Sequence, residues 1–274
     1  MGCAGRDPPH GEGPLSDRER ALDHPTRPGK PAADVGGCAI GILARAPIAG
    51  RAKTRLIPRL GAVGAARFQE ASLQDADRLV SIVGVPGILF LSPLSARSRI
   101  RPLRLALPIA GQGGGSLGTR MVAALERLLR LPEIDRALVI GTDSPDLPVR
   151  LLRDAVQALR EHPAVLVPAA DGGYVAFGVH GAHARSGELR RVLRPVPWSS
   201  PHTCERTAEA LRAGGLEPLL LETWFDIDEP SDLDALRARL ARSAHDRNPD
   251  EVAPHTAAFL REWQAPPDPD ALSG

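Results

Sequence analysis

Ala137-Leu-Val-Ile-Gly-Thr-Asp-Ser-Pro-Asp-Leu-Pro148 is the stretch on which the fold turns. Its apolar run, Ala137 to Ile140, reads as a buried strand. A polar segment follows. Pro148 then opens a helix to about Arg160, since proline is favoured in the first helical turn. The same grammar extends in both directions. Upstream, Cys38–Ala44 and Gly87–Leu91 read as strands, and Leu103–Ile109 as a weaker one. Helical spacing covers Gly61–Ile82, and a glycine loop, Gly111–Gly115, leads into a helix over Leu117–Leu129. Downstream, Ala164–Val167 and Val175–Val179 are strands flanking a turn. Helices follow near Gly187–Leu193 and Ser200–Ala213. Leu219–Leu221 and Phe225–Ile227 are strand-like, and Pro230 starts a helix to about Ala241. Strands alternating with helices of this length predict an α/β domain with a mainly parallel sheet.

The 274 residues are 43% apolar and 24% charged, an ordinary globular balance. No apolar run approaches the ~20 residues of a membrane span. The formal net charge is +1, so no global field favours nucleic acid or an anionic membrane. Three dispersed cysteines support neither a disulfide framework nor a C-x-x-C metal site, and a cytoplasmic location is expected. Residues 1–37, rich in Gly, Pro and alternating charge, read as a disordered tail. The domain is expected over 38–243. A C-terminal tail, 244–274, contains one short amphipathic piece, Ala257–Trp263.

Ligands of such sheets bind beyond the carboxyl ends of the strands, and four polar loops there are rich in chemistry. The first carries Gly50, Arg51, Lys53 and Arg55. Cations beside a flexible glycine suit a polyphosphate, although a solvated basic loop has the same composition. Of 34 basic residues only Lys30 and Lys53 are lysines. The second is Gly141–Pro148. Asp143, directly after a strand, is placed to hold a divalent ion, while Asp146 is placed to cap the following helix. The third is Asp171-Gly-Gly-Tyr174, first of all a hairpin signal, in which glycine also admits close approach of a ligand. In the fourth, Phe225–Leu233, Asp226 and Asp228 share one side of an extended segment and repel unless a cation lies between them. Helix capping accounts for Asp228 better than for Asp226. Trp224 and Phe225 are expected in the core, and Cys204 is expected to pack as a small residue.

The order of motifs is AxAPxxGxxKTRL, GxLGxRM, GTDSPDLP, DGGY, PWS and DxDxPxDL. It resembles the DUF2064 family of GT-A-fold, glycosyltransferase-like proteins. That family is similar to the molybdenum-cofactor and phospholactate nucleotidyltransferases. The resemblance spans about Ala39 to Leu240 and implies a single Rossmann-like GT-A domain that binds a nucleotide sugar or NTP. It implies that Leu43 to Pro47, Ala44 and Arg45 among them, lie beside the nucleotide, and that Arg51, Lys53 and Arg55 hold phosphates. Gly118 and Arg120 would form a second nucleotide-side loop, where this chain has Ser116 and Thr119 in place of the usual acidic residues. Asp143 would hold Mg²⁺ or Mn²⁺ together with Asp226 or Asp228. Asp171, Gly172, Gly173 and Tyr174 would border a small-molecule acceptor, with Trp198 and Ser199 nearby.

The leading expectation is metal-dependent transfer of a glycosyl group from a nucleotide sugar to a small acceptor. Lys53 would assist the leaving diphosphate and Asp171 would serve as base. Nucleotidyl transfer is the alternative, because a single Asp at 143 plus a C-terminal Asp is the nucleotidyltransferase arrangement. A non-catalytic nucleotide-binding protein is the third reading, in which Asp143 and Asp226 are structural.

Overall fold

Alternation inside the apolar runs decides the layers. A strand sends successive side chains to opposite faces. In β1 (Cys38–Arg45) Ile40, Ile42 and Ala44 join one buried cluster and Ala39 joins another. β2 (Gly87–Ser92) divides Leu89 and Leu91 from Ile88 and Phe90. β4 (Arg136–Ile140) likewise divides Leu138 and Ile140 from Ala137 and Val139. Strands buried on both faces lie between two helical layers, which is why they read as continuous apolar runs. The computed structural model describes residues 36–182, 187–245 and 253–263. By contacts the chain divides into 1–33 and 34–274, and the described residues belong to the second unit. The tail expected over 1–37 therefore lies almost wholly outside the described residues, as does 264–274.

With β3 (Ile109–Gly111), β5 (Ala164–Pro168), β6 (Tyr174–His180) and β7 (Pro218–Leu220), the strands form one sheet in the order β3-β2-β1-β4-β6-β5-β7. All neighbours are parallel except β6, which is antiparallel to β4 and β5. The Asp171–Gly173 turn explains the exception, because so short a link joins antiparallel neighbours. Helices α1 (Ile57–Val83) and α4 (Val149–Ala158) supply one cluster. Helices α3 (Leu117–Leu128), α5 (Glu188–Val192) and α6 (Thr203–Ala213) supply the other. Cys204 packs there as expected, and burial raises its thiol pKa. The short α2 (Arg97–Ile100) lies between β2 and β3.

Several expectations need correction. The third strand is Ile109–Gly111, not Leu103–Ile109. The buried Asp77 carboxylate of α1 accepts the Ala106 and Leu107 amides at 2.9 and 3.0 Å, so those residues are held by the helix and not by a strand ladder. Helix α1 starts at Ile57 rather than Gly61, which breaks it locally with φ 67° and ψ 166°. Phe225–Ile227 is not a strand. Only Trp224 makes an isolated bridge, to Ala169. Ile227 instead donates its amide to the Asp143 carbonyl at 2.8 Å, so the segment crosses the carboxyl ends of the strands. Phe225 is exposed there, with the Arg239 guanidinium 4.7 Å from its ring centroid.

Helix α7 (Pro230–His245) is capped by Asp232, whose carboxylate accepts the amides of Asp228 and Glu229. The Asp228 side chain is thus not the cap. Nor does Asp146 cap α4. It is buried and pairs with Arg239 of α7 at 2.6 Å. The C-terminal amphipathic piece is α8 (Pro254–Glu262), docked on α1. Among the described residues, no helix is long and apolar enough to cross a membrane.

Candidate active site

Strand order reverses at β1, whose neighbours β2 and β4 are reached in opposite directions along the sheet. A crevice at the carboxyl ends is the expected ligand site. A cavity of about 710 Å³ lies there. Arg45 enters it from the end of β1, Arg51, Lys53 and Arg55 from the following loop, and Asp143 from the end of β4. Asp171, Gly173 and Tyr174 come from the hairpin, Asp226 and Asp228 from the crossing segment, and Arg120, Trp198 and Ser199 from the far wall.

Four of the sequence-derived candidates do not line the cavity and act on backbone shape. Ala44 is fully buried, and its carbonyl accepts from Gln112. Gly50 turns the basic loop with φ +77°. Gly172 has φ +89°, and a Cβ there would lie 1.8 Å from the Pro201 carbonyl oxygen. A Cβ on Gly118 would lie 2.2 Å from the Trp198 indole.

Lys53 is the pivot of the floor. Its backbone is left-handed, φ 45°, which turns the side chain inward to 5% exposure. Nζ donates to Asp143 Oδ1 at 2.6 Å, to Asp228 Oδ1 at 3.3 Å and to the Ile227 carbonyl. Burial opposes its charge, but the two carboxylates outweigh burial and hold its pKa above the ordinary lysine value. Asp143 therefore meets Lys53, while a separate acidic group forms beside it. One oxygen each from Asp171, Asp226 and Asp228 lies within 4.8 Å of the others. Burial, then the Asp171 and Asp228 charges, push the Asp226 carboxyl up to about 6. Three clustered carboxylate oxygens, of which only those of Asp228 meet cations among the described residues, fit a hard divalent ion such as Mg²⁺ or Mn²⁺.

The cleft also carries cations. Arg120 donates to Gln112 Oε1 at 2.7 Å, and burial followed by the nearby Arg45 charge lowers its pKa. Gln112 in turn donates to the carbonyls of Ala44 and Phe90, at the ends of β1 and β2. Arg45, Arg51 and Arg120 form no ion pair among the described residues, so their charge is available to an anion. Arg55 is 3.7 Å from Asp228 and 3.5 Å from Glu229. Tyr174 directs its hydroxyl to Met121 Sδ at 3.4 Å, and burial raises its pKa, which suits packing rather than proton transfer. Sequence reasoning missed Gln69 and Gln112. Gln69 donates to the Arg45 carbonyl and to Thr142 Oγ1, and so ties the ends of β1 and β4. The only signal for Gln112 was a polar residue directly after an apolar strand.

Residues 76–200 match the family DUF2064, described as an uncharacterized protein conserved in bacteria. The chain is similar to the crystal structure of a candidate nucleotide-diphospho-sugar transferase from Desulfovibrio desulfuricans G20. The identity is 27% and the TM-score 0.71, over 83% of this chain and 95% of that one. The 4-diphosphocytidyl-2C-methyl-D-erythritol synthase from Anaerococcus prevotii DSM 20548 is similar at 13% identity and TM-score 0.51, over 76% of this chain and 100% of that one. A second structure of such a synthase is similar at 16% identity and TM-score 0.50, over 75% and 98% of the two chains. These two show a shared fold. No curated protein matches the chain.

Proposed function

We propose that this chain, whose residues 76–200 match DUF2064, is a metal-dependent transferase. It takes a nucleotide-sugar donor and transfers the glycosyl group to a small acceptor. The observation that carries the reading is one cleft, at the switch point of the sheet, lined both by guanidinium groups without an ion-pair partner among the described residues and by three clustered carboxylates. A nucleotide diphosphate needs both: donors for its phosphate oxygens and a cation between those oxygens and the acids. The 27% identity to the Desulfovibrio protein favours a sugar donor.

Each group then has a task. Arg45, Arg51 and Arg120 bind the diphosphate, with Gln112 orienting Arg120. Asp226 and Asp228 would hold Mg²⁺ or Mn²⁺, with Asp143 completing the set, and the ion when bound would neutralise the leaving diphosphate. Lys53 fixes the positions of Asp143 and Asp228. Asp171, exposed at the hairpin, accepts the proton of the acceptor hydroxyl. Gly172, Gly173, Trp198 and Ser199 shape the acceptor side.

The second reading, nucleotidyl transfer, is favoured by one observation: only Asp143 stands directly after β4, and the other acids come from the hairpin and the C-terminal segment. A thermal-shift panel of NTPs and nucleotide sugars, each with and without Mn²⁺, separates the readings, because a ligand of the folded state raises Tm. A metal-dependent rise with one nucleotide sugar and not with the matching triphosphate is expected. A rise with a triphosphate alone would replace glycosyl transfer by nucleotidyl transfer. No metal-dependent rise with any of them would remove both.

A further inference from the structure

A second cavity, of about 380 Å³, lies on the other side of Trp198, which lines both. Its walls are the first turn of α3 and the stretch from α5 to Arg194. Arg190, Arg191 and Arg194 line it, and no carboxylate does. That is a local excess in a chain of net charge +1. The three cations are not equally engaged. Arg190 is tied to Glu126 at 2.9 Å. Arg191 reaches Glu188 only at 3.8 Å, with its side chain 77% exposed. Arg194 forms no ion pair among the described residues.

The α3 wall adds donors. Ser116 caps the Thr119 amide at 3.2 Å, whereas the Leu117 and Gly118 amides belong to the first turn and have no intrahelical acceptor. Gly118 also lets the Trp198 indole rest on that turn as a partition, since a Cβ there would overlap the ring.

The two cavities that share Trp198 differ in charge. The main cleft sets its arginines beside Asp171, Asp226 and Asp228, so a bare anion there meets carboxylates as well as cations. On the other side stand guanidinium groups and free amides, which attract one. We propose that this second cavity is an oxyanion subsite for the acceptor, taking the phosphate ester of a small phosphorylated acceptor. The acceptor's hydroxyl end then extends past Trp198 toward Asp171. The proposal rests on the transferase reading and names the acceptor class for it.

The test uses the full chain, free of donor and metal, and follows the indole N–H signals of Trp198, Trp224 and Trp263 by NMR. Trp198→Phe assigns the first. The probes are glycerol 3-phosphate, inorganic phosphate and glycerol. Glycerol 3-phosphate should move the Trp198 signal saturably, inorganic phosphate should bind more weakly, and glycerol should do nothing. The exposed double substitution Arg191→Ala with Arg194→Ala should weaken binding about tenfold, the scale of one charge-assisted hydrogen bond. Arg261→Ala, exposed on α8, should leave it unchanged, and Arg51→Ala, in the main cleft, should weaken it less than the double substitution does.

No movement with either phosphate overturns the subsite, as does loss of the response in Arg51→Ala with retention in the double variant. Equal affinity for the two phosphates would mark a free-phosphate site and overturn the assignment to an acceptor. The transferase reading fails separately, in the donor panel. A positive Trp198 titration beside a negative panel removes the reaction and keeps the anion site.

Discussion

At Asp143 and Asp146, three residues apart in one loop, burial assigns opposite duties. Asp146 and Arg239 are 5% and 14% exposed at 2.6 Å, a pair shielded from water, whereas Asp143 is 54% exposed. Removing one member of a buried pair strands the other charge and costs about 3–5 kcal/mol. Asp146→Ala should therefore lower Tm by roughly 10 °C, given about 2–4 °C per kcal/mol for a domain of this size. Asp143→Asn leaves the buried Lys53 with Asp228 and the Ile227 carbonyl, so it should lower Tm by less than Asp146→Ala does while weakening metal-dependent ligand binding. Thermal unfolding of the two variants side by side checks this, and equal losses of Tm would refute the division. Asp226 makes a different prediction. Its carboxyl, near 3.8 in an unfolded chain, rises to about 6 in the fold. The folded state then holds the proton more tightly, so the stabilising contribution is full below about pH 4 and is lost as pH rises through 6. Without divalent ions, Tm should fall between pH 4 and 6. Asp226→Asn should flatten that fall and raise Tm at pH 8. A lower Tm for the variant at pH 8 would contradict this.

Between elements, the docking of α8 on α1 rests on two contacts that no periodicity announces. Asp75 of α1, 3% exposed, accepts the His255 and Thr256 amides at 3.1 and 2.8 Å and so serves as a cap supplied from another helix. A Cβ on Gly64 would lie 2.5 Å from the Trp263 indole, so that glycine exists for a neighbour and not for its own helix. Gly64→Ala should destabilise the chain. In a Trp263→Ala background the same change should stabilise it by up to about 1 kcal/mol, the helix-propensity gain. Denaturant unfolding of the four-variant cycle measures the coupling, and additivity would mean that the indole does not sit on Gly64 in solution. These elements also show what the sequence could and could not disclose. The apolar runs of β1, β2, β4 and β5 were legible because burial on both faces leaves an unbroken run. The antiparallel β6 was legible from Gly172-Gly173. Leu103–Ile109 and Phe225–Ile227 misled because their backbone amides go to Asp77 and to the Asp143 carbonyl, distant partners that imprint no period. The polar loops at strand ends pointed to the cleft for a reason of topology, since parallel strands bring their carboxyl ends to one edge. The pairing of Lys53 with Asp143 and Asp228 was invisible for the opposite reason, being set by a left-handed backbone at one residue.

Across the whole molecule the charges nearly cancel, +1 in 274 residues, so what the cleft does depends on where they lie. The main cavity sets Arg45, Arg51 and Arg120 against an acidic floor, with Lys53 already engaged by two carboxylates. A nucleotide diphosphate entering alone satisfies the arginines but meets Asp171, Asp226 and Asp228. A divalent ion entering alone satisfies the acids but keeps neutral waters where charged phosphate oxygens would bind. Together each removes the other's penalty, so the two should bind cooperatively. Such a coupling is reciprocal by thermodynamic necessity, with a typical size of about 5- to 150-fold. Calorimetric titration of Mn²⁺ should give a Kd at least about fivefold tighter with saturating UDP than without it. The titration of UDP should tighten by the same factor with saturating Mn²⁺. In Asp226→Asn the factor should collapse toward one, since the floor then no longer needs the ion to admit the phosphates. Metal and nucleotide affinities that ignore each other would mean that the carboxylates and the guanidinium groups do not face one ligand, and the single-cleft account of catalysis would have to be abandoned.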